Sequence, residues 1–377
     1  MDLLRSDPSK FLKLIQYAST FPDYPKGFVF PALADPNYVP PNHGGNFVAY
    51  SYAMAILTTV VVIARLWVRR TVKGLTFGLD DWLMIPGQIV SLGMIASMVL
   101  LVKLGGVGMH TYDVSYARIY LSYQIEFAAV LLYVASIFFI RMSITAFLYR
   151  LMALGSTTKR ILLIITYVLL VLQFIIQTLV YVFAYKPIAA NWDFDVRLAG
   201  FTSINISLEF FILTIFNLFV DIWLLFLPIH TIWNMNMGLR ARIGILWIFF
   251  FGAIACVGAA VRTAYIHKVF DSWDALWNGV GVMYGALTEI SFGLVSASMP
   301  ALNHIIVKWL PKLLNIWSKD GSGRPPKSFK ESFHGAFNDK QRTNSMGVAI
   351  PFHSNLWRDS ISIEPTRHTT WTDLESK

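Results

Sequence analysis

Seven stretches of the sequence are apolar over enough residues to cross a hydrocarbon layer of about 30 Å as α-helices. They fall at residues 47–66, 81–103, 122–148, 161–183, 206–232, 242–265 and 278–307. The fourth, ILLIITYVLLVLQFIIQTLVYVF, carries no charge at all. None shows the alternating polarity of a barrel strand, so backbone groups in lipid must be satisfied within helices. The expected fold is all-α, a polytopic membrane protein built as a seven-transmembrane helix bundle over 47–310. A non-cytosolic segment, 1–46, precedes it, and a disordered cytosolic tail, 311–377, follows. Composition agrees: of 377 residues, 55% are hydrophobic and only 14% charged, well below a soluble domain. The net charge of +9 could suggest nucleic acid. Its bases flank apolar runs or lie in the tail, so membrane lipid is the expected partner and nucleic acid is not.

Orientation follows from the same bases. Arg65, Arg69, Arg70 and Lys73 mark the first connection, Arg150, Lys159 and Arg160 the third, Arg240 and Arg242 the fifth, and Lys308 and Lys312 the start of the tail. The alternate connections are less basic, which places the N-terminus outside and the C-terminus in the cytosol. No secretory signal peptide is evident, so the first spanning helix is expected to direct insertion. Phe11, Leu12, Leu14, Ile15 and Ala18 have the spacing of a short interfacial helix. Asn205-Ile206-Ser207 is a sequon set against the fifth span, a poor site for glycosylation.

Ionisable groups inside spans are costly, and they mark function or interhelical bonding. Glu126 lies in the third span, Glu209 and Asp221 in the fifth, Arg262 in the sixth and Glu289 in the seventh. Arg141 and His230 lie toward the ends expected at the cytosol. Asp221 and Asn217 are four residues apart and share a helix face. They are read as bonds to a neighbouring helix rather than chemistry, and Arg141 as a snorkelling base. In GLDDWLMIPG, Asp80 or Asp81 is expected to cap the second helix, and Trp82 to sit in the interfacial belt. The single cysteine, Cys256, excludes an internal disulfide and a cysteine cluster. The eight histidines lack ligand spacing, so no metal is expected. The glycines of KLGGVGMH follow a helix rather than a strand, which argues against a phosphate cradle.

Several segments recur together in one order: RLWVRR before GLDDWLM, GGVGMH after the second span, and RMSITAFLYR ending the third. KPIAANW follows the fourth, NLFVDIWLLFLPIHTIW forms the fifth and EISFGLVSASMPAL the seventh. Over about 45–310 the chain resembles the fungal seven-helix family with a rhodopsin-like domain. The resemblance implies either a receptor-like protein or a membrane protein of a secondary-metabolite cluster. Some membrane-bound fungal terpene cyclases acting on prenylated phenols or epoxycyclohexenones look related to it. The chain departs from the family in lacking a cysteine-rich external domain. It has Tyr185 ahead of Lys186-Pro187 where members often carry a cysteine, and it lacks a further cysteine after the tryptophan. A disulfide-bridged external cap is therefore not expected.

The preferred expectation is a membrane-embedded cyclase, isomerase-type, closing the isoprenoid tail of a lipophilic meroterpenoid by acid-initiated carbocation chemistry. Burial favours the protonated form of a carboxyl, and Glu289, Glu126 and, more deeply, Asp221 are the candidate catalytic acids. A cation needs aromatic faces. Tyr123, Tyr133, Trp273, Trp277 and Tyr284, with Arg262, are the candidate substrate-binding residues. Partners would be a lipophilic prenylated small molecule and other enzymes of the pathway, in the endoplasmic reticulum. The alternative is a receptor-like protein sensing an external ligand at the plasma membrane, or a non-catalytic accessory protein. No cofactor is expected, retinal included, because no lysine lies between Trp277 and Val307. Added retinal should thus produce no visible protonated Schiff-base band. A band that borohydride removes would contradict this.

Overall fold

A computed structural model describes residues 15–25, 27, 31, 35, 37–72, 77–152, 157–203, 205–233 and 239–317. Seven of its helices are long and apolar enough to cross a membrane, one for each expected span. They are α1 (Gly44–Thr71), α2 (Leu79–Leu100), α3 (Tyr116–Met152), α4 (Thr157–Val182), α5 (Ile206–Trp233), α6 (Leu239–Phe270) and α7 (Ala275–Trp317). The hydrophobic window of α7 is 67% buried against 22% for α1 and α4, so α7 runs through the middle and α1 and α4 face lipid. Leu169, Leu172, Ile176 and Leu179 form part of that lipid face. Lys73, the first half of the proposed interfacial helix and the tail from Ser318 lie outside the described residues. Residues 15–18 are helical.

Glycines set two of the closest approaches. Gly106 (φ 81°) and Gly108 (φ 99°) adopt left-handed backbone that disfavours a side chain. They fold the α2–α3 loop onto the starts of α1 and α7, where His43 N donates to Gly108 O (3.0 Å) and Gly108 N to Leu276 O (3.0 Å). The glycine run is thus a docking turn between helices. On α6 and α7 the backbones nearly touch. A Cβ on Gly285 would stand 2.5 Å from Arg262 N, and one on Gly258 2.7 Å from Glu289 N. Small residues permit this helix contact in lipid, and it brings the Arg262 and Glu289 backbones into one layer.

The α4–α5 connection is ordered without a disulfide. Strands β1 (Tyr185–Lys186) and β2 (Thr202–Ser203) pair antiparallel. Between them lies a short helix, Phe194–Ala199, capped by the Asp193 carboxylate, which accepts from Asp195 N and Val196 N. Asn191 Nδ2 donates to Val182 O and Ile188 O (both 2.9 Å) and ties the loop back to α4. Asn205, the sequon asparagine, accepts from Leu208 N (3.2 Å) and caps α5.

The GLDDW segment does more than cap. Asp81 Oδ2 accepts from Gly78 N (3.1 Å), as a cap should. Asp81 Oδ1 also accepts from Arg65 Nε (2.8 Å), and Asp80 Oδ2 from Arg65 Nη2 (2.6 Å) and Arg69 Nη2 (2.9 Å). Arg65 donates further to Ala297 O on α7, and Ser143 Oγ on α3 to Asp80 O. Arg65 and Arg69, read from the sequence as flanking bases, are buried. Their charges meet carboxylates rather than lipid headgroups, leaving Arg70 as the exposed described base of that group. Trp82 stands exposed beside them, as a belt residue should. Replacing Arg65 leaves two buried carboxylates underpaired, a loss of about 3–5 kcal/mol. Arg65→Met should therefore sharply lower the thermal stability of the detergent-solubilised protein. Wild-type stability would contradict the buried cluster.

Candidate functional site

A polar network fills the core at mid-depth. Arg141 on α3 is nearly inaccessible (2% exposed). Its Nε donates to Asp221 Oδ1 on α5 (2.9 Å), and its Nη1 to Asn217 Oδ1 (2.9 Å) and to Gln173 Oε1 on α4 (3.3 Å). Its Nη2 donates to Asn217 O (3.0 Å). Gln173 Nε2 donates to Asn217 Oδ1 (2.8 Å). Arg141 Nη2 also stands 3.8 Å from Glu289 Oε1 on α7. Glu289 accepts from Tyr133 OH (2.8 Å) at Oε1 and from Arg262 Nε on α6 (2.9 Å) at Oε2. The Arg262 guanidinium lies over the Tyr133 ring, 4.9 Å from its centroid. Two arginines thus face two carboxylates, and the ion pair between Arg141 and Glu289 joins a hydrogen-bonded group on α3, α4 and α5 to one on α3, α6 and α7.

Beside this network lies a cavity of ≈ 530 Å³. Its wall is mainly aromatic and aliphatic, drawn from the α2–α3 and α4–α5 connections and from α2, α3, α4, α5, α6 and α7. Residues 15–24 contribute Ile15, Tyr17, Phe21 and Tyr24 to the same wall. Asp23 Oδ1 accepts from Trp273 N (3.0 Å), and Tyr24 packs edge-on to Trp273 (5.3 Å), fastening this segment at the start of α7. Uncharged polar side chains such as Gln177 and Asn191 are interspersed, and Asp271 is one of the charged groups. The others include Glu126, Arg197 on the short helix of the α4–α5 connection, and Arg262. Tyr38 OH donates to Asp113 (2.9 Å) outside the spans, where burial pushes the Asp113 carboxyl above its usual range.

The profile of the fungal rhodopsin domain matches residues 64–308. The chain belongs to the fungal rhodopsin-like family. It is 25% identical over 284 residues to receptor GIN3 of Arthrobotrys oligospora, covering 72% of this chain and 66% of that one. It is 32% identical over 121 residues to fugralins biosynthesis cluster protein 2 of Gibberella zeae, covering 32% of this chain and 30% of that one. A SAT4 family membrane protein of Emericella nidulans is 28% identical over 121 residues, covering 32% and 29%. The chain thus spans less than a third of two of these relatives and just under two thirds of the third. No solved structure matches it.

In this fungal rhodopsin-like protein, Glu126, Tyr123, Tyr133, Arg262 and Trp273 do share one cavity wall. The other candidate residues lie elsewhere. Glu289 sits behind Tyr133 and Arg262, its carboxylate held by both. Asp221 is bound to Arg141, in keeping with its reading as a link between helices. Arg141 does not snorkel; its charge is consumed by those partners. Trp277 stacks on His110 (4.1 Å, 12°), which pairs with Asp274 (2.5 Å), so it holds the α2–α3 loop rather than the wall. Tyr284 turns toward α1, against Phe47 (5.0 Å) and Tyr50 (5.3 Å). Two wall residues had no sequence signal. Arg197 lies in the connection between α4 and α5, where a lone base is unremarked. Tyr185 was noted only for not being cysteine, yet Arg197 packs on its ring at 4.3 Å.

Among the described residues no group of His, Cys, Asp or Glu could hold a metal ion. Asp221→Asn keeps an acceptor for Arg141 and should cost only about 1–2 kcal/mol of stability. Arg141→Met strands buried acceptors on two helices and should cost about 3–5 kcal/mol. Denaturation in mixed micelles would compare the two. Equal losses would contradict the role of Arg141 as the centre.

Proposed function

We propose that this integral multi-pass membrane protein is a receptor-like sensor that binds a lipophilic small molecule in the cavity. The observation that carries the reading is a shared wall. Tyr133 and Arg262 line the cavity on one side and hold Glu289 on the other. A ligand that displaces either side chain alters the pairing of Glu289. Through Arg141 it then alters the contacts among α3, α4 and α5. An element with two arrangements, biased by a ligand that favours one, is what sensing requires. Similarity to a receptor over most of the chain supports this reading. Under it the N-terminal face is external, the tail is cytosolic, and the plasma membrane is the location.

A second reading rests on Glu126, a carboxyl in a cavity wall with Tyr123 and Phe127. It is a membrane-embedded cyclase working with other pathway enzymes in the endoplasmic reticulum. Glu126 would protonate an epoxide or terminal alkene of a prenylated substrate. A carbon–carbon bond closes the ring, and loss of a proton from the final cation makes the product an isomer of the substrate. Aromatic faces would stabilise the cation. Glu289 and Asp221, each held by an arginine, serve structure under this reading. Similarity to a protein named for a biosynthesis cluster supports it.

The two readings differ in the fate of the bound molecule. Protein in nanodiscs is incubated with a prenylated phenol epoxide, which is then extracted and analysed by chromatography and mass spectrometry. The receptor reading predicts saturable binding and recovery of the molecule unchanged. The cyclase reading predicts an isomer of equal mass, formed by the wild type and lost in Glu126→Gln.

A further inference from the structure

We propose that the cavity selects neutral lipophiles bearing an accepting oxygen, and that Arg197 and Arg262 read this oxygen. The inference rests on the ligand-binding reading above and names the class of molecule bound.

The wall sets the first requirement. Tyr123, Phe194, Phe210 and Met283 present aromatic and sulfur-bearing apolar surface, which suits a hydrocarbon body. The second requirement comes from hydrogen bonding. Buried polar groups are nearly always satisfied, so the exceptions are informative. Among the described wall residues, the buried side-chain atoms lacking a partner are Arg197 Nε and Arg262 Nη2. Both are donors. The buried acceptors Glu209 Oε2 and Asp221 Oδ2, also lacking partners, belong to residues outside the wall. What the cavity lacks is an acceptor.

Both guanidiniums are held in place before any ligand arrives. Arg197 packs over Tyr185 (4.3 Å), Tyr123 (4.8 Å) and Phe201 (5.7 Å). Arg262 is fixed by Glu289 and by the Tyr133 ring. Cations stacked on rings keep their in-plane N–H groups free to donate.

Charge sets the third requirement. Arg262 is matched by Glu289, the wall carries one further base and acid in Arg197 and Glu126, and its other carboxylate, Asp271, pairs with His267. An anionic ligand would add a negative charge to a low-dielectric site already in balance. A neutral carbonyl, phenol or alcohol meets the two donors without that penalty. A hydroxyl could in addition donate to Glu126.

The test uses the full chain in nanodiscs and tritiated farnesylacetone, a neutral prenyl ketone. Competitors are the hydrocarbon of equal length, the corresponding acid and ergosterol. The ketone should bind about tenfold or more tightly than the hydrocarbon, as expected for one buried hydrogen bond, and no less tightly than the acid. Arg197→Met should reduce ketone affinity to the hydrocarbon level and leave the hydrocarbon unchanged. Arg262→Lys keeps a cation for Glu289 but loses the second nitrogen. It should do the same, and so provides the test if Arg197→Met fails to fold. Displacement by ergosterol would support the proposal with a membrane sterol as the natural occupant. Absence of displacement would support it with a non-sterol metabolite. Equal affinity for ketone and hydrocarbon, insensitive to both variants, would overturn it, as would a marked preference for the acid. Ala286→Trp separates this from failure of the underlying reading. Ala286 lines the cavity, so a bulky residue there should abolish binding of ketone and hydrocarbon alike. Binding that survives it would place the ligand elsewhere and overturn the ligand-binding reading itself.

Discussion

The guanidinium of Arg141 decides how the helices of this bundle meet. A charge taken out of water into a low-dielectric interior loses several kcal/mol of hydration. It stays buried only where its donors find acceptors. The acceptors come from Gln173 on α4 and Asn217 and Asp221 on α5. Glu289 on α7 lies just beyond, and it engages Arg262 on α6 and Tyr133 back on α3. Lipid tails are as apolar as leucine, so burial of aliphatic surface does little to choose one helix arrangement over another. Polar pairing of this kind does choose, because a misplaced helix leaves a charge without a partner.

A second ionic set performs the same task between the end of α1 and the start of α2. Arg65 joins α1 to both aspartates of α2 and to a carbonyl of α7, and Ser143 adds α3. Helices α3 and α7 contribute to both sets. The cavity adjoins the central set and takes two of its members, Tyr133 and Arg262, into its wall. Whatever occupies the cavity therefore touches groups that also hold the helices together. That coupling suits a sensor. A cyclase, by contrast, needs a free acid, and of the three candidates only Glu126 reaches the cavity.

The helices themselves were legible, because an apolar run of spanning length has few other fates. The four-residue spacing of Asn217 and Asp221 correctly suggested one polar face. Its partner, Arg141, could not be read, since pairing across eighty residues of chain depends on packing rather than on local pattern. Arg65 and Arg69 looked like flanking bases for the same reason: sequence shows their position relative to a span but not the carboxylates on the next helix. Gly258 and Gly285 gave no signal individually. Only the approach of α6 to α7 reveals that any side chain there would separate Arg262 from Glu289. The absence of the family's cysteines left no bridge to order the α4–α5 connection. It hid the fact that Asn191, Asp193 and the β1–β2 pair order the same loop by hydrogen bonds.

The central claim is that the groups from Asn217 to Tyr133 act as one network. Asn217 bonds to Arg141 and Tyr133 to Glu289, and the side-chain link between the two groups is the Arg141–Glu289 ion pair at 3.8 Å. A double-mutant cycle on unfolding stability in mixed micelles, with Asn217→Leu, Tyr133→Phe and the pair, tests this directly. The account predicts a departure from additivity of about 1 kcal/mol or more. Additivity within about 0.3–0.5 kcal/mol, the behaviour of independent sites, would contradict it.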